Sequence, residues 1–155
     1  MKRDRKTAKR NRHQLQVWSY DQARSAIPYI LSIVRSLREH AIEIQTRQQE
    51  LKRLDDLPGR PDRTRIIAHQ ELEREVHRAE QRFEEAAGDL EQLDIFCLDP
   101  IRGQAVVPFI HDEQLAWYIF DLFDNKHFRF WRFQSDPEET RRPITAQQGA
   151  SVTGS

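Results

Sequence analysis

Histidine and carboxylate residues at helical spacing are the first candidates for chemistry in this chain. His69, Glu73 and His77 recur at steps of four, which places them on one face of a helix. His40 and Glu43 could face them from a second helix. A metal site inside a helical bundle needs inward carboxylates and a Glu-x-x-His pair on each of two helices. Because the chain contains no Glu-x-x-His, the sequence predicts no metal site, and nothing else in it indicates a cofactor.

A second polar cluster and the one cysteine offer no better constellation. Residues 111–113 are His, Asp and Glu in succession, and turn residues are polar for conformational reasons, so we expect a solvated turn. Cys97 has apolar neighbours and an acidic surrounding stretch, whereas a nucleophilic cysteine needs a positive setting with a base nearby. We therefore expect a buried, inert thiol. With no nucleophile elbow and no phosphate-binding glycine loop, the sequence predicts no catalytic residues and a protein that is not an enzyme.

Binding of nucleic acid is the main alternative function. The formal net charge is zero, yet residues 1–12 hold seven basic residues and one acidic residue. Residues 80–99 hold seven acidic residues and one basic residue, so the arm could equally fold over this stretch of its own chain or of a neighbour. A basic arm can neutralise phosphates, and alternating cations and aromatics can stack on bases. The residues predicted for nucleic-acid contact are Lys2, Arg3, Arg5, Lys6, Lys9, Arg10, Arg12, Arg129, Trp131 and Arg132.

Two long apolar seams must position these residues. Apolar residues recur at alternating steps of four and three from Ala23 to Leu51, with one polar interruption, and again from Leu72 to Leu93. Residues 57–62 lie between the seams and contain two prolines and a glycine. This pattern predicts two long helices that fold back on each other as an antiparallel, coiled-coil-like hairpin.

Capping signals set the limits of these helices. Ser19 with Gln22 three residues later forms a capping box, and the first helix is expected to run to about Asp55. Pro28 lies inside this helix and predicts a kink. Asp62 is the expected cap of the second helix, which continues to about Leu93 or Phe96.

Near residue 99 the apolar period changes from helical to alternating, which predicts a small antiparallel β-meander. The expected strands are 105–110, 115–123 and 127–133. Pro108 predicts that the first of them is an edge strand. So few strands are not stable alone, so one face of the sheet should pack on the base of the hairpin.

The aromatic third strand has two interpretations. Its rings could be exposed and stack on bases. In the structural interpretation, Phe128 and Phe130 face the core and leave Trp131 and Phe133 beside Arg129. The sequence leaves both open.

The predicted fold class is α+β, mostly α, in one domain, since the chain has only 155 residues. Residues 1–16 are expected to be a disordered basic arm, 17–133 the hairpin with its sheet, and 134–155 a disordered polar tail. One cysteine allows no intrachain disulfide, and no apolar run is long enough to span a membrane. The expected location is the cytoplasm, with no membrane partner and no identified small-molecule substrate.

Protein association is the leading functional hypothesis. A two-helix hairpin buries only a narrow seam, and apolar residues beside the seams widen the stripe beyond what two helices need. Such a stripe typically marks an association surface. The sequence therefore predicts a non-enzymatic interaction or scaffold protein that forms a homo-oligomer through the hairpin. The residues predicted for association are Ile42, Ile66, Ile67 and Phe83.

These elements resemble a bacterial family known as domain of unknown function 2203. Residues 18–24 with Pro28 resemble the start of that family, and Gly103 and Pro108 match the glycine and proline of its first sheet motif. The spacing of Tyr118 and Trp131 is similar to its second motif, with Arg141 at the closing arginine. The resemblance covers most of residues 17–143. It implies this fold and no known activity.

Three positions depart from the family pattern. Val106 stands where the family has aspartate, Arg132 where it has histidine, and Asn125 where it has glutamate. If those polar residues form a site in relatives, the resemblance implies that this chain has lost most of it.

Overall fold

The computed structural model describes residues 14–145. This part of the chain folds into helices α1 (Tyr20–Ser25), α2 (Ile27–Asp55) and α3 (Arg63–Glu91), followed by five strands. The strands are β1 (Phe96–Asp99), β2 (Gln104–His111), β3 (Gln114–Asp121), β4 (Phe128–Phe133) and β5 (Arg142–Pro143). They form one antiparallel sheet in the order β1-β2-β3-β4-β5. The predicted class, α+β and mostly helical, is confirmed.

The capping box at the start of the helical region is present as predicted. The backbone N–H of Gln22 donates to the Ser19 hydroxyl at 3.0 Å, and the Gln22 side chain accepts from the Ser19 N–H at 2.8 Å. The expected single kinked helix is instead two helices, because the chain leaves α1 at Ala26 and starts α2 at Ile27. Pro28 lies in the first turn of α2. Backbone N–H groups in a first turn have no acceptor within their helix, so the missing N–H of proline costs no helical hydrogen bond there.

The hairpin turn uses the residues that the sequence indicates. α2 ends at Asp55, and the Asp62 carboxylate caps α3 by accepting from the Arg65 N–H at 2.8 Å. Gly59 has a φ of 83°, a left-handed conformation that glycine adopts without a steric penalty. The Arg65 guanidinium donates to backbone carbonyls of the turn, which fixes the loop against the start of α3. Within residues 14–145 no helix is long and apolar enough to cross a membrane.

One face of the sheet packs on the base of the hairpin and forms the main core. The helices contribute Ile30, Val34, Leu37 and Leu90 to it, all at most 1% exposed. The sheet contributes alternate residues of its central strands, among them Val107, Phe109, Tyr118, Phe120 and Trp131. The predicted packing of the sheet on the hairpin base is therefore present.

The opposite face of the sheet carries a smaller apolar cluster. Its buried members are Val106, Trp117 and Ile119, and Leu15 packs against them. The Gln16 N–H donates to the Asp94 carboxylate at 2.7 Å. Residues 14–16, which the sequence assigns to the basic arm, therefore take part in the fold. Residues 1–13 lie outside the described part of the chain.

The edge assignment for the strand containing Pro108 is wrong. β2 pairs with β3 over its whole length and with β1 over its first half, so it is an internal strand. The ladder with β1 ends at Val106, two residues before Pro108. Beyond it, the Pro108 carbonyl accepts from the Trp18 N–H at 2.8 Å. The proline is tolerated because β1 does not extend to it.

A bulge in β4 reverses the expected faces of the aromatic strand. Phe120 is opposite Phe128 and Ile119 is opposite Phe130, so Arg129 is an extra residue. Phe128 and Trp131 consequently face the main core, whereas Phe130 packs on the outer cluster. The interpretation that places Phe130 on the core face is wrong.

The ordered chain continues past residue 133, where the sequence predicts the tail to begin. β5 pairs with β4 through Phe130 opposite Pro143 and Trp131 opposite Arg142. Ile144 packs against the main core. Residues 146–155 of the predicted tail lie outside the described residues.

Candidate functional site

The distal half of the hairpin consists of two helices that the sheet does not cover. The main core takes no residue of α2 beyond Leu37, and on α3 it takes residues from Phe83 onward. Near the turn, Leu57 is 48% exposed, Ile66 47% and Ile67 43%. We call this end of the hairpin, residues 47–75, the tip.

Two shallow grooves lie on the tip. The first has a volume of about 480 Å³ and an apolar floor that includes Leu54, Leu57 and Leu72. The second has a volume of about 420 Å³ and is lined by Leu54, Leu57 and Ile66 together with turn residues. Charged residues of both signs surround the first groove: Arg47, Glu50, Arg53, Glu71 and Glu75.

One ion pair and one histidine–carboxylate contact connect α2 and α3 at the tip. Arg47 Nε lies 3.0 Å from Glu75 Oε2 across the hairpin. His69 lies between two carboxylates, with Nε2 3.1 Å from Asp55 Oδ1 and Nδ1 2.5 Å from Glu73 Oε1. These side chains are partly exposed, and such pairs contribute only about 0–1 kcal/mol each, so they orient the helices more than they stabilise the fold.

The histidine and carboxylate spacing does not assemble a metal site. His69 and Glu73 do share a face, as their spacing predicts. Within residues 14–145, however, the structure brings together no three histidine, cysteine or carboxylate side chains able to hold a metal ion.

The four residues predicted for association occupy different environments. Ile66 and Ile67 are exposed at the tip. Ile42 is half-buried on α2. Phe83 packs against the main core, so its side chain already contributes to the fold of the monomer.

The residues of β4 predicted for nucleic-acid contact are occupied by contacts within the fold. Trp131 is 4% exposed and makes edge contacts with Phe109, His111 and Phe133, so it has no free ring face on which a base could stack. Arg132 is half-buried and donates to the Phe133 carbonyl at 3.3 Å. The seven predicted residues of the arm, from Lys2 to Arg12, lie outside the described part of the chain.

Arg129 forms a bidentate ion pair with Asp124. Its Nε and Nη2 atoms donate to the two carboxylate oxygens at 2.7 and 3.0 Å. These hydrogen bonds, together with one from the Lys126 N–H, lower the pKa of Asp124 to about 2. Arg129 therefore stabilises the turn between β3 and β4 through its ion pair with Asp124.

A second bidentate ion pair, between Arg142 and Asp136, lies beside Trp131 and is not predicted from the sequence. Arg142 donates to both oxygens of Asp136 at 2.8 and 3.0 Å, and the hydrogen bonds lower the pKa of Asp136 to about 2. The guanidinium also lies 5.5 Å from the Trp131 ring and 5.0 Å from the Phe133 ring. Both members of the pair belong to the predicted tail, and no motif in the sequence indicates their contact.

His111 and Cys97 are structural in this fold. The His111 side chain is 17% exposed and contacts the Trp131 ring at 4.7 Å, so the expected solvated turn is limited to Asp112 and Glu113. Those two residues have φ of 50° and 63°, as a tight two-residue hairpin loop requires. Burial, together with the nearby charge of Asp99, raises the pKa of the Cys97 thiol to about 11. The thiol is therefore protonated at neutral pH and a poor nucleophile.

Comparison with known proteins gives one match. The model of a family described as "Uncharacterized conserved protein (DUF2203)" matches residues 16–144, from the segment before α1 to the end of β5. No curated protein and no solved structure matches this chain.

Proposed function

This chain belongs to the DUF2203 family, and from its geometry we propose that it is a cytoplasmic, non-enzymatic interaction module that self-associates through the tip of the hairpin. The supporting observation is the first groove, where an apolar floor lies exposed between two helices that nothing else in the described chain covers. Leu57, which lines this groove, and Ile67, which precedes the lining residue Ala68, are roughly half exposed.

The charges around the first groove favour a second copy of this chain as the partner. A two-fold symmetric interface requires a surface that is complementary to itself. α2 contributes Arg47, Glu50 and Arg53 to the groove, a net charge of 2 − 1 = +1, and α3 contributes Glu71 and Glu75, a net charge of −2. A two-fold axis parallel to the hairpin places α2 of each copy over α3 of the other. Basic residues then face acidic ones in an antiparallel four-helix arrangement.

The size of the apolar surface limits the strength of this association. Full burial of a leucine or isoleucine side chain contributes about 1.5–3 kcal/mol, and half of each side chain at the tip is already buried. Association also costs at least about 4 kcal/mol of translational and rotational freedom. We therefore expect a weak dimer with a dissociation constant no tighter than the micromolar range.

Sedimentation of the full-length chain across the micromolar range tests the proposal. We expect the average mass to rise from monomer to dimer with concentration. Ile66 lines the second groove. Ile67 lines neither groove, but it precedes Ala68 and lies one helical turn before Glu71, both of which line the first groove, so helical spacing places it next to that groove. Ile67→Glu should abolish the dimer and the equally exposed Ile66→Glu should retain it.

Each other outcome contradicts part of the proposal. A mass that stays monomeric into the high micromolar range excludes self-association. Loss of the dimer in Ile66→Glu but not in Ile67→Glu assigns the interface to the second groove and removes the charge argument. Circular dichroism of both variants confirms that the helices remain folded.

Nucleic-acid binding through residues 1–12 stays a prediction, supported by their seven basic residues. It requires salt-dependent retention on RNA or DNA that disappears when residues 1–12 are deleted. Retention that survives the deletion excludes the arm as the binding element.

A further inference from the structure

A third cavity, with a volume of about 380 Å³, lies at the opposite end of the molecule from the tip. It separates the start of the helical region from the turn between β3 and β4. Its volume is in the range of small-molecule sites, about 300–1,000 Å³. The lining residues are Tyr20, Arg24 and Ile27 from the helices and Asn125, Lys126, His127 and Phe128 from the turn and β4. We call this cavity the basic cleft.

The basic cleft combines cations with no lining carboxylate. The cations Arg24 and Lys126 line it together with His127, and none of the lining residues is acidic. The grooves at the tip, in contrast, contain charges of both signs. The Arg24 guanidinium contacts the Tyr20 ring, and its Cζ atom lies 5.8 Å from the ring centroid. Within residues 14–145, neither Arg24 nor Lys126 forms an ion pair.

Three acidic residues lie near the cleft in the sequence, and none of them lines it. Asp124 is bound by Arg129 and also accepts from the Lys126 N–H at 3.0 Å. The Asp121 carboxylate accepts from the Phe123 N–H at 2.9 Å. Asp21 follows Tyr20 on α1 but does not line the cleft. Among the described residues, no carboxylate in the lining balances the positive charge of Arg24 and Lys126.

His127 is held in a fixed orientation. Its Nδ1 lies 3.0 Å from the Asp121 carbonyl oxygen, so we assign the proton to Nδ1. The imidazole also stacks on the Phe120 ring, with centroids 5.3 Å apart and planes 18° apart. With Nδ1 hydrogen-bonded to this carbonyl, Nε2 is the remaining nitrogen, and it can donate to an oxyanion only when the imidazole carries both protons.

We propose that the basic cleft binds a small organic oxyanion, a phosphate monoester or a carboxylate carried on an apolar group. Arg24 and Lys126 contact the oxyanion, because charge-assisted hydrogen bonds to these groups are stronger than neutral ones. The Asn125 amide and the Tyr20 hydroxyl add neutral donors. Ile27 and Phe128 supply apolar surface for the rest of the ligand. This site is independent of self-association at the tip.

Titration of the full-length protein with phenyl phosphate and with benzoate, followed by amide NMR, tests the proposal. We expect saturable shifts at residues 24–27 and 125–128 with at least one of the two anions. The stronger of the two identifies the oxyanion class. Inorganic phosphate and neutral phenol should each bind more weakly, because each lacks one half of the recognised group.

Charge-neutralising variants separate this site from general attraction of anions. Arg24→Gln and Lys126→Gln should each weaken binding about tenfold, the effect of losing one charge-assisted hydrogen bond. Arg60→Gln, in the hairpin turn, is the matched control and should bind like the wild type. Arg24, Lys126 and Arg60 are all exposed, and far-ultraviolet circular dichroism verifies the fold of each variant.

Four results overturn the proposal. They are the absence of saturable shifts with both anions, equal binding by Arg24→Gln, Lys126→Gln and Arg60→Gln, shifts located at the tip, and inorganic phosphate binding as tightly as phenyl phosphate. If one cleft variant is misfolded, the other decides, with Lys126→Glu as the charge-reversed substitute.

Discussion

The indole N–H of Trp18 donates to the Leu93 carbonyl oxygen at 3.1 Å and joins the segment before α1 to the end of the hairpin. The backbone N–H of the same residue donates to the Pro108 carbonyl. The Trp18 ring also packs against the main core. One residue thus connects the first helix, the exit of the third helix and the second strand.

We therefore expect two substitutions of Trp18 to destabilise the fold to different extents. Trp18→Phe keeps most of the ring contact and loses one hydrogen bond, and should lower the free energy of unfolding by about 1 kcal/mol. Trp18→Ala also loses the packing and should cost about 3 kcal/mol or more. Urea denaturation measures both values. Wild-type stability of Trp18→Phe would show that the bond to Leu93 contributes nothing.

Replacing Tyr118 by phenylalanine should stabilise the protein. The Tyr118 ring stacks on Phe109 with centroids 3.8 Å apart, and its buried hydroxyl has no hydrogen-bond partner within the described residues. Burial raises the pKa of this hydroxyl, so it remains neutral. An unsatisfied buried polar group costs about 1–3 kcal/mol. Tyr118→Phe should raise the free energy of unfolding by about 1 kcal/mol, whereas the same change at exposed Tyr29 should have no effect. A less stable Tyr118→Phe variant would contradict this account.

Cys97 should resist alkylation in the folded protein. Its pKa of about 11 leaves little thiolate at neutral pH, and its sulfur lies 3.5 Å from the Gln104 carbonyl oxygen. Reaction with iodoacetamide should be slow until denaturant unfolds the chain. A cysteine introduced at exposed Ser135 should react rapidly under the same native conditions. Equal native rates for the two thiols would rule out protection of Cys97.

Strong acid should remove a part of the stability that depends on Asp124 and Asp136. Both carboxyls have a pKa of about 2 in the folded protein, below their usual range, because Arg129 and Arg142 hydrogen-bond their charged forms. Their contribution is complete above the unfolded value of about 3.9 and is lost as the pH falls through 2. NMR titration of the side-chain carboxyls should find midpoints near 2, and Asp136→Asn should reduce the loss of stability over this range. Midpoints near 4 would exclude both ion pairs in solution.

The hairpin could be predicted because its determinants are local and repeated. The seams, the capping pair Ser19 and Gln22 and the cap Asp62 all act within a few residues of the chain. Apolar residues keep the same spacing over many helical turns, and each turn supports the prediction of a helix. The break at Ala26 was harder to predict, since a proline in a periodic stretch indicates either a kink or a new helix.

The sheet was predicted less completely because its short strands depend on distant partners. β1 has four residues and follows the second seam directly, so its apolar residues extend the helical pattern. β5 has two residues in a polar stretch. In β4 the bulge at Arg129 shifts every later side chain to the other face, and no residue type announces it.

The basic cleft could not be predicted because it joins two segments about a hundred residues apart. Arg24 is one of many charged residues on helix surfaces, and Lys126 belongs to a turn where polar residues are expected. Only the packing of the sheet against the helices brings them to one cavity.

The shortness of the two outermost strands has a consequence for behaviour at high concentration. Unpaired strand edges recruit further strands from other molecules, which is how fibrils begin. Here one border has four residues with a bulge and the other has two, one of them a proline without an N–H. Within residues 14–145 both outermost strands therefore offer few unpaired backbone groups, and we expect crowding to favour contacts between helices over fibres.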